Sequence, residues 1–417
     1  MATNFEYAFS IQENLIVFLK EKYPKNKFEY SGCILRNSEV VKSIVIITNL
    51  DNYPALDGFK YPLNENLEYY PDYLGHLYYK KSILPTIPIE FYCCGNDENK
   101  FRWYKWEKSC SEDHFVHIAE RIKLSYNNKS SYFHWDEDTI YREAKLPFIM
   151  PEHREGFKEF TDYNTSNLIT LQDIRGNVHL HTSYSDGKNT LREMAMYCKN
   201  NLNLEYMFVS DHSYSMHNPV MNEEGISKQF TEIELLNKEL YPFKIFKSIE
   251  VDINKDGTLV YDNETLNLFD FVIASIHSET RMTKEEATQR VIKAIENPYV
   301  HMIGHLFNKD VMGGDTYQHG YFRYDLDMNK IIDAYADNNI VSELNCNPGR
   351  MDLHYKFINR LMNKEIQVSL NTDAHSCSQL ERIRYGVNSA RKGYLTKEHC
   401  FNAKNLIEMN QFIENKN

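Results

Sequence analysis

The stretch Gly176-Asn177-Val178-His179-Leu180-His181 decides the predicted fold, because a short apolar run ends there in a His-x-His pair. Side chains on a strand alternate with period two, so both imidazoles are expected on one face. Six more short apolar runs follow, and each leads into a polar or metal-binding type of residue. The seven runs are Asn177–His181, Tyr206–Asp211, Ile245–Val251, Phe271–Ser275, Val300–Gly304, Ile340–Asn345 and Ile366–Asn371.

Helical patterns lie between these runs. One covers Lys284–Glu296 after the capping box Thr283-Lys284-Glu285-Glu286, and another covers Met328–Asp337. Near-continuous apolar strands that alternate with helices predict a parallel sheet buried on both faces. Seven such units predict a closed or nearly closed α/β barrel, whose chemistry lies at the C-terminal ends of the strands.

Nine His, Asp and Glu residues fall at or just past the C-terminal ends of the predicted strands, and hence on one rim of the barrel. They are His179, His181, Asp186, His212, Glu250, His277, His305, Asp373 and His375. Imidazole and carboxylate without thiolate suit Zn, Mn or Fe. We therefore predict a metal centre, with Glu250 as the carboxylate that bridges two ions. Ordinary hydrogen-bonded or surface roles are expected for the ten other histidines, among them His76, His114, His134, His217 and His319.

Length and charge limit the possible classes. A chain of 417 residues predicts two or three domains, and its net charge of −12 argues against a large nonspecific DNA footprint without excluding a local basic groove. No apolar stretch approaches the length of a membrane span. The N-terminal residues show no secretory pattern and the eight cysteines form no CxxC pair, so we expect a cytoplasmic protein with reduced thiols and no membrane association.

Several motifs between about Leu171 and Leu395 are shared with a known family. They are Asp173–His179, Tyr184–Gly187, Glu250–Ile253, Val272–Ser278, Asn345–Pro348, Asn371–His375 and Arg384–Val387. These segments resemble the PHP (polymerase and histidinol phosphatase) domain, and the whole chain resembles a shortened bacterial family X DNA polymerase.

The resemblance implies a distorted (βα)7 barrel with three divalent metal ions, which we expect to be Mn, Zn or Fe. It assigns His179, His181, Glu250 and Asp373 to one ion, Glu250, His277 and His305 to a second, and Asp186, His212 and His375 to the third. It also implies 3′-5′ exonuclease and 3′-end phosphoesterase chemistry, or phosphomonoester hydrolysis as in the histidinol phosphatase branch.

The N-terminal half resembles the polymerase palm with losses. Ser31–Arg36 is similar to the family's Gly-Ser-x-Arg-Arg signature, but the Asp-x-Asp pair that binds magnesium falls on Ser43 and Val45. The third carboxylate falls on Glu90, and one carboxylate does not hold two cations. Lys105–Ser109 stands at the family's nucleotide-contacting motif without its glycine, and we expect no helix-hairpin-helix region. Polymerase activity is therefore not expected.

We predict three regions along the chain. Residues 1–110 form a smaller α+β domain that is a degenerate nucleotidyltransferase-like palm. Residues 111–170 hold a thumb-like remnant, carried by Tyr132–Glu159, and the connector to the barrel. Residues 171–417 form the PHP phosphoesterase domain.

The expected mechanism is in-line attack of hydroxide on phosphorus, with Glu250 and Asp373 among the catalytic residues and Arg350 or Arg281 as the cation that neutralises phosphoryl oxygens. Two substrates remain open: nucleic-acid 3′ ends, favoured by the polymerase-like half, and a small phosphomonoester, favoured by the acidic charge. A noncatalytic binding or scaffold protein is the third hypothesis.

Overall fold

The chain divides into two compact units, one within Met1–Thr165 and the other within Ser166–Asp310 and Tyr321–Asn417. The computed structural model describes residues 3–56, 58–59, 68–71, 77–80, 87, 89–124, 130–161, 163–213, 221–309 and 323–416. His76, His217 and His319 lie outside these residues. Within the described residues, no helix combines the length and the apolar character that crossing a membrane requires.

The first unit is an α+β fold. Its strands are β1 Thr3–Asn4, β2 Phe28–Ser31, β3 Val40–Val41, β4 Ile44–Thr48, β5 Glu68–Pro71, β6 Leu77–Lys80 and β7 Ile89–Cys93. Its helices are α1 Phe5–Lys22, α2 Gly32–Leu35, α3 Glu98–Ser109, α4 Glu112–Arg121 and α5 Glu137–Glu143, with a 3₁₀ turn at Pro151–His153. Helix α1 begins at Phe5 because the Asn4 side chain caps it, accepting from the Tyr7 N–H.

The central sheet of the first unit has the order β2-β4-β7. β2 is antiparallel to β4 and β4 is parallel to β7, so that Val45 pairs with Glu90. Gly32 follows β2 at φ +71°, and a Cβ there would lie 2.8 Å from Val45 Cγ2. Only glycine accommodates both this backbone and this close approach. The helices form a separate aromatic core around Trp103 and Trp106.

The second unit is a parallel barrel of seven strands. They are β8 Gly176–Asn177, β9 Tyr206–Val209, β10 Lys244–Asp252, β11 Phe271–Ser275, β12 Met302–Ile303, β13 Val341–Asn345 and β14 Val368–Asn371. Each strand pairs with the next in chain order, and a parallel bridge between Leu180 and Ala374 joins the first strand to the last. This confirms the predicted (βα)7 barrel. The predicted first strand was too long, because the ladder of β8 stops at Asn177 and only the bridge at Leu180 continues it.

Helices alternate with the barrel strands or follow them in the chain. They are α6 Leu191–Asn200, α7 Glu223–Glu239, α8 Asn263–Leu266, α9 Lys284–Ile295, α10 Met328–Asp337, α11 Ile358–Met362, α12 Ile383–Lys392 and α13 Leu406–Lys416. Short 3₁₀ turns occur at Leu171–Asp173, Tyr355–Phe357, Cys377–Arg382, Lys397–His399 and Phe401–Ala403. The capping box predicted at Thr283 and Glu286 is present at the start of α9.

The barrel core is apolar and aromatic away from the predicted metal ligands. Tyr206, Phe271 and Met302 pack with Phe401 and Met409 of the C-terminal segment. Tyr206 and Phe271 begin their strands, so this packing lies toward the N-terminal strand ends. Because side chains fill that end of the barrel, we expect the reaction at the opposite end, where the predicted ligands lie.

Candidate metal centre

The predicted ligands follow the C-terminal ends of the barrel strands. His179 and His181 come after β8, His277 two residues after β11, His305 two residues after β12, and Asp373 two residues after β14. Glu250 lies near the end of the long strand β10 and forms a parallel bridge with His212. Since these strands are neighbours in one barrel, their ends bring side chains together that lie far apart in sequence.

Glu250 is the centre of the cluster. Its side chain is fully buried, and Oε1 lies 3.0 Å from His305 Nε2, 3.3 Å from His277 Nε2 and 3.4 Å from His179 Nε2. The other oxygen, Oε2, lies 2.9 Å from His212 Nδ1 and 3.6 Å from His181 Nε2. One carboxylate therefore faces five imidazoles.

Asp373 and Asp186 extend the cluster on either side of His181. Asp373 Oδ1 lies 3.1 Å from His181 Nε2 and 3.6 Å from His179 Nε2. Asp186 Oδ2 lies 3.2 Å from His375 Nε2, and Asp186 Oδ1 lies 3.7 Å from His212 Nε2. Three groups have ligand atoms within 4.8 Å of one another: His181, Asp186, His212 and His375; His179, His181 and Asp373; and His212, Glu250 and His277.

These side chains fit divalent cations. Two donors at roughly 2.1 Å from one ion, about 90–110° apart, are separated by about 3.0–3.4 Å, close to the spacing between donors seen here. His179 Nε2 is buried and has no hydrogen bond within the described part of the chain. Burying a polar atom without a partner is costly, and a cation would satisfy it.

Burial and neighbouring charges set the protonation states of the proposed metal ligands. Burial lowers the pKa of His181 to about 3, and His212 adds to the effect, so this imidazole is neutral. Burial alone would raise the pKa of Glu250, but His277, His179 and His212 outweigh it and hold that pKa well below the ordinary value. The pKa of Asp373 is also held well below its ordinary value, because His179 and His181 outweigh its burial. The ionised carboxylates of Glu250 and Asp373 and the neutral imidazole of His181 are suitable ligands for divalent ions.

Further carboxylates orient the cluster. Asp252 Oδ1 lies 2.6 Å from His277 Nδ1. Asp211 does not contact a predicted ligand in this way; it accepts from the Thr182 N–H and hydroxyl and from Gln229, and so anchors the start of the loop that carries Asp186. Such partners fix the orientation of metal ligands.

A cationic cavity of about 340 Å³ adjoins the cluster at His277. Its lining includes Lys309, Arg323 and Arg350. Arg350 donates from Nη1 to Asn308 Oδ1 at 2.7 Å, and its Nε lies 3.7 Å from Asp373 Oδ2. The structure does not bring Arg281 into this lining; its side chain is exposed.

Sequence reasoning missed Arg323, Lys309 and the buried Glu343. Glu343 stands inside the apolar run Ile340–Asn345, and a carboxylate within a fully buried strand signals a polar partner. Arg323 and Lys309 gave no such signal, because their position in the cavity depends on how separate loops meet.

The barrel and its ring of imidazoles and carboxylates define the class: an α/β barrel of the PHP type with a candidate metal centre. No family model matches the sequence. The DNA polymerase/3′-5′ exonuclease PolX of Bacillus subtilis is 34% identical over 280 residues, which is 67% of this chain and 48% of that protein. The chain thus spans about half the length of PolX.

A probable phosphatase of Acetivibrio thermocellus is 27% identical over 215 residues, 49% of this chain and 81% of that protein. The histidinol phosphate phosphatase of Lactococcus lactis, solved with zinc, L-histidinol and phosphate, is 19% identical with a TM-score of 0.39, covering 52% of this chain and 93% of that one. The chain is thus similar to bacterial PolX and to probable phosphatases, which bears out the resemblance to PHP proteins.

Proposed function

We propose that the protein is a metal-dependent phosphoesterase that acts on 3′ ends of nucleic acid, as a 3′-5′ exonuclease or 3′-end phosphoesterase, without polymerase activity. The observation that carries the proposal is the position of Glu250, whose two oxygens face five imidazoles at 2.9–3.6 Å. A carboxylate so placed would be shared by two cations.

Nine residues would hold three ions, with Glu250 shared by two. His179, His181, Glu250 and Asp373 would hold the first, Glu250, His277 and His305 the second, and Asp186, His212 and His375 the third. Divalent ions bound there would supply hydroxide near neutral pH and neutralise the oxygens of the reacting phosphoryl group. The donor set fits Mn, Zn or Fe.

The chain's own residues complete the mechanism. Arg350 lies between the cavity and Asp373, where its guanidinium would bind the nonbridging phosphoryl oxygens. Arg323 and Lys309 line the same cavity and add positive charge for an anionic substrate. Asp252 holds His277 by a hydrogen bond, and Asp211 anchors the loop before Asp186.

The similarity to a protein named as a 3′-5′ exonuclease, over 280 residues, favours nucleic-acid ends as substrate. The absence of polymerase activity is supported by the first unit, where the partner of Glu90 across the sheet is Val45 and Ser43 precedes that strand. At the positions that correspond to the polymerase carboxylates, the described residues thus offer one carboxylate.

A small phosphomonoester is the second candidate, favoured by the volume of the cavity, about 340 Å³, and by the similarity to a probable phosphatase. The deciding experiment compares release of nucleotides from single-stranded DNA with release of phosphate from mononucleotides and histidinol phosphate, each with manganese or zinc. Faster turnover of DNA supports the first proposal. Faster phosphate release from the small esters supports the second, and no hydrolysis of any of them contradicts both.

A further inference from the structure

The carboxylate of Glu343 contacts two of the proposed metal ligands, His179 and His305. It lies in β13 with 1% of its surface exposed. Its Oε1 lies 2.8 Å from His179 Nδ1 and accepts from Asn371 Nδ2 at 2.9 Å. Its Oε2 accepts the backbone N–H of His305 at 2.6 Å. A single carboxylate therefore reaches ligands that follow β8 and β12.

The contact between Glu343 and His179 decides which ring nitrogen of His179 can bind a cation. A carboxylate only accepts hydrogen bonds, so the His179 nitrogen that faces it, Nδ1, carries the proton. The lone pair is then left on Nε2, the buried atom that lies 3.4 Å from Glu250 Oε1. The contact with His305 acts on its backbone, which has φ +25°, a conformation that non-glycine residues rarely adopt.

We propose that Glu343 is a positioning residue that fixes the tautomer of His179 and the backbone of His305, and thereby sets the affinity of the metal positions that these two histidines serve. The inference rests on the metal assignment of the proposed function. It extends that assignment to a residue that touches neither substrate nor metal.

Substitution by glutamine separates this role from simple packing. Glutamine has the same shape but offers one oxygen and one NH₂ group. The His305 N–H and Asn371 Nδ2 can only donate, so either orientation of the glutamine amide sets its NH₂ group against a donor. If the NH₂ group faces His179 Nδ1, that nitrogen must accept, and the proton moves to Nε2, the atom intended for the cation. If it faces His305 instead, the backbone N–H of His305 loses its acceptor.

The first test is a titration of the full-length, metal-free protein with zinc against a competing chelator, for wild type and Glu343→Gln. We expect the affinity of the steps that use His179 and His305 to fall by about 10–100-fold, while the step that uses Asp186, His212 and His375 is unchanged. Glu234→Gln, an exposed carboxylate on α7, is the matched control and should bind as wild type does.

An unchanged isotherm for Glu343→Gln, or equal weakening of every step, would overturn the proposal. If the wild type itself binds no zinc, the metal assignment of the proposed function fails as well. Tight binding by the wild type with an unaffected variant overturns only the role of Glu343.

A second measurement does not depend on the folding of the variant. In the zinc-loaded wild type with ¹⁵N-labelled histidine, the His179 ring, assigned by comparison with His179→Asn, should carry its proton on Nδ1. A proton on Nε2 would overturn the proposal even if Glu343→Gln failed to fold.

Discussion

Leu180 and Ala374 form a parallel bridge that joins the first strand of the barrel to the last. On either side of it, the Asp373 N–H donates to the His179 carbonyl at 3.0 Å and the His181 N–H donates to the Ala374 carbonyl at 2.9 Å. The bridge therefore sets the His-x-His pair beside the Asp-x-His pair. The contact that closes the barrel therefore also brings these predicted metal ligands together.

Replacing Ala374 by leucine should weaken both the closure of the barrel and the predicted metal site. Ala374 is fully buried, and added methylenes in a packed site cost about 1–3 kcal/mol. We expect a lower free energy of unfolding of the barrel, measured by urea titration, and weaker zinc binding. Ala336→Leu on α10, which is only partly buried, is the control. Full zinc affinity in Ala374→Leu would argue against coupling between the closing bridge and the site.

The double variant His179→Ala/Asp373→Ala tests the metal centre directly. It removes two side chains whose atoms lie 3.6 Å apart, and with them a proposed ion position. Hydrolysis of a generic phosphoester should fall at least about 100-fold, as expected when metal coordination is lost. The control His134→Ala/Asp138→Ala changes exposed residues of the same types. Hydrolysis at the wild-type rate in the test variant would refute the site.

Arg350 and Arg281 are the two candidates for the cation that binds the phosphoryl group, and we expect their replacement to have different effects on kcat/KM. Arg350→Ala should lower kcat/KM for phosphoester hydrolysis by about 10–100-fold without changing metal content, because a charged hydrogen bond to phosphate is worth about 1.5–3 kcal/mol. Arg281→Ala, which changes an exposed side chain outside the cavity, should change kcat/KM by less than about twofold. The reverse order of effects would move the phosphoryl site away from Arg350.

Removal of metal should destabilise the barrel. Ions that bind only the folded state add about 2.7 kcal/mol per site at a hundredfold excess over Kd. Chelation should therefore lower the melting temperature of the barrel by several degrees, and zinc or manganese should restore it; differential scanning calorimetry measures this. The double variant at His179 and Asp373 should show a smaller shift on chelation. An equal shift in both proteins would mean that the ions bind elsewhere.

The first unit should lose stability in acid. Burial lowers the pKa of His114; burial opposes ionisation of Glu159, but His114 and backbone N–H groups outweigh it and lower the pKa of that carboxyl. Both groups bind protons more weakly folded than unfolded, so their stabilisation is present above pH 6.5 and is lost as pH falls, first through His114 and below about pH 4.5 through Glu159. Urea unfolding followed by tryptophan fluorescence isolates this unit, because all three tryptophans lie in it.

Glu159→Gln should be less stable at pH 7 by about 1–3 kcal/mol, since it weakens the contact with His114 and the backbone bonds. It should also lose less stability between pH 5 and pH 3 than the wild type. Glu143→Gln, on an exposed position of α5, is the control. Parallel pH curves for wild type and Glu159→Gln would show that the pair does not control the acid response.

Local sequence patterns were sufficient to locate the seven barrel strands and two of the helices, α9 and α10. Met328–Asp337 was predicted with the bounds that the structure has, because apolar spacing and capping act within a few residues. The first strand was predicted too long, since a ladder ends where its partner ends, and the partner of Leu180 is Ala374, at the far end of the barrel.

The sequence by itself determined the fold class and a set of candidate ligands, because strand periodicity places residues at strand ends without any distant contact. Tertiary structure alone decided that Glu250 faces five imidazoles, that Glu343 contacts both His179 and His305, and that Arg350 rather than Arg281 lines the cavity. These relationships depend on where separate strands and loops meet. Such distances are set by packing of the whole barrel, which no local pattern encodes.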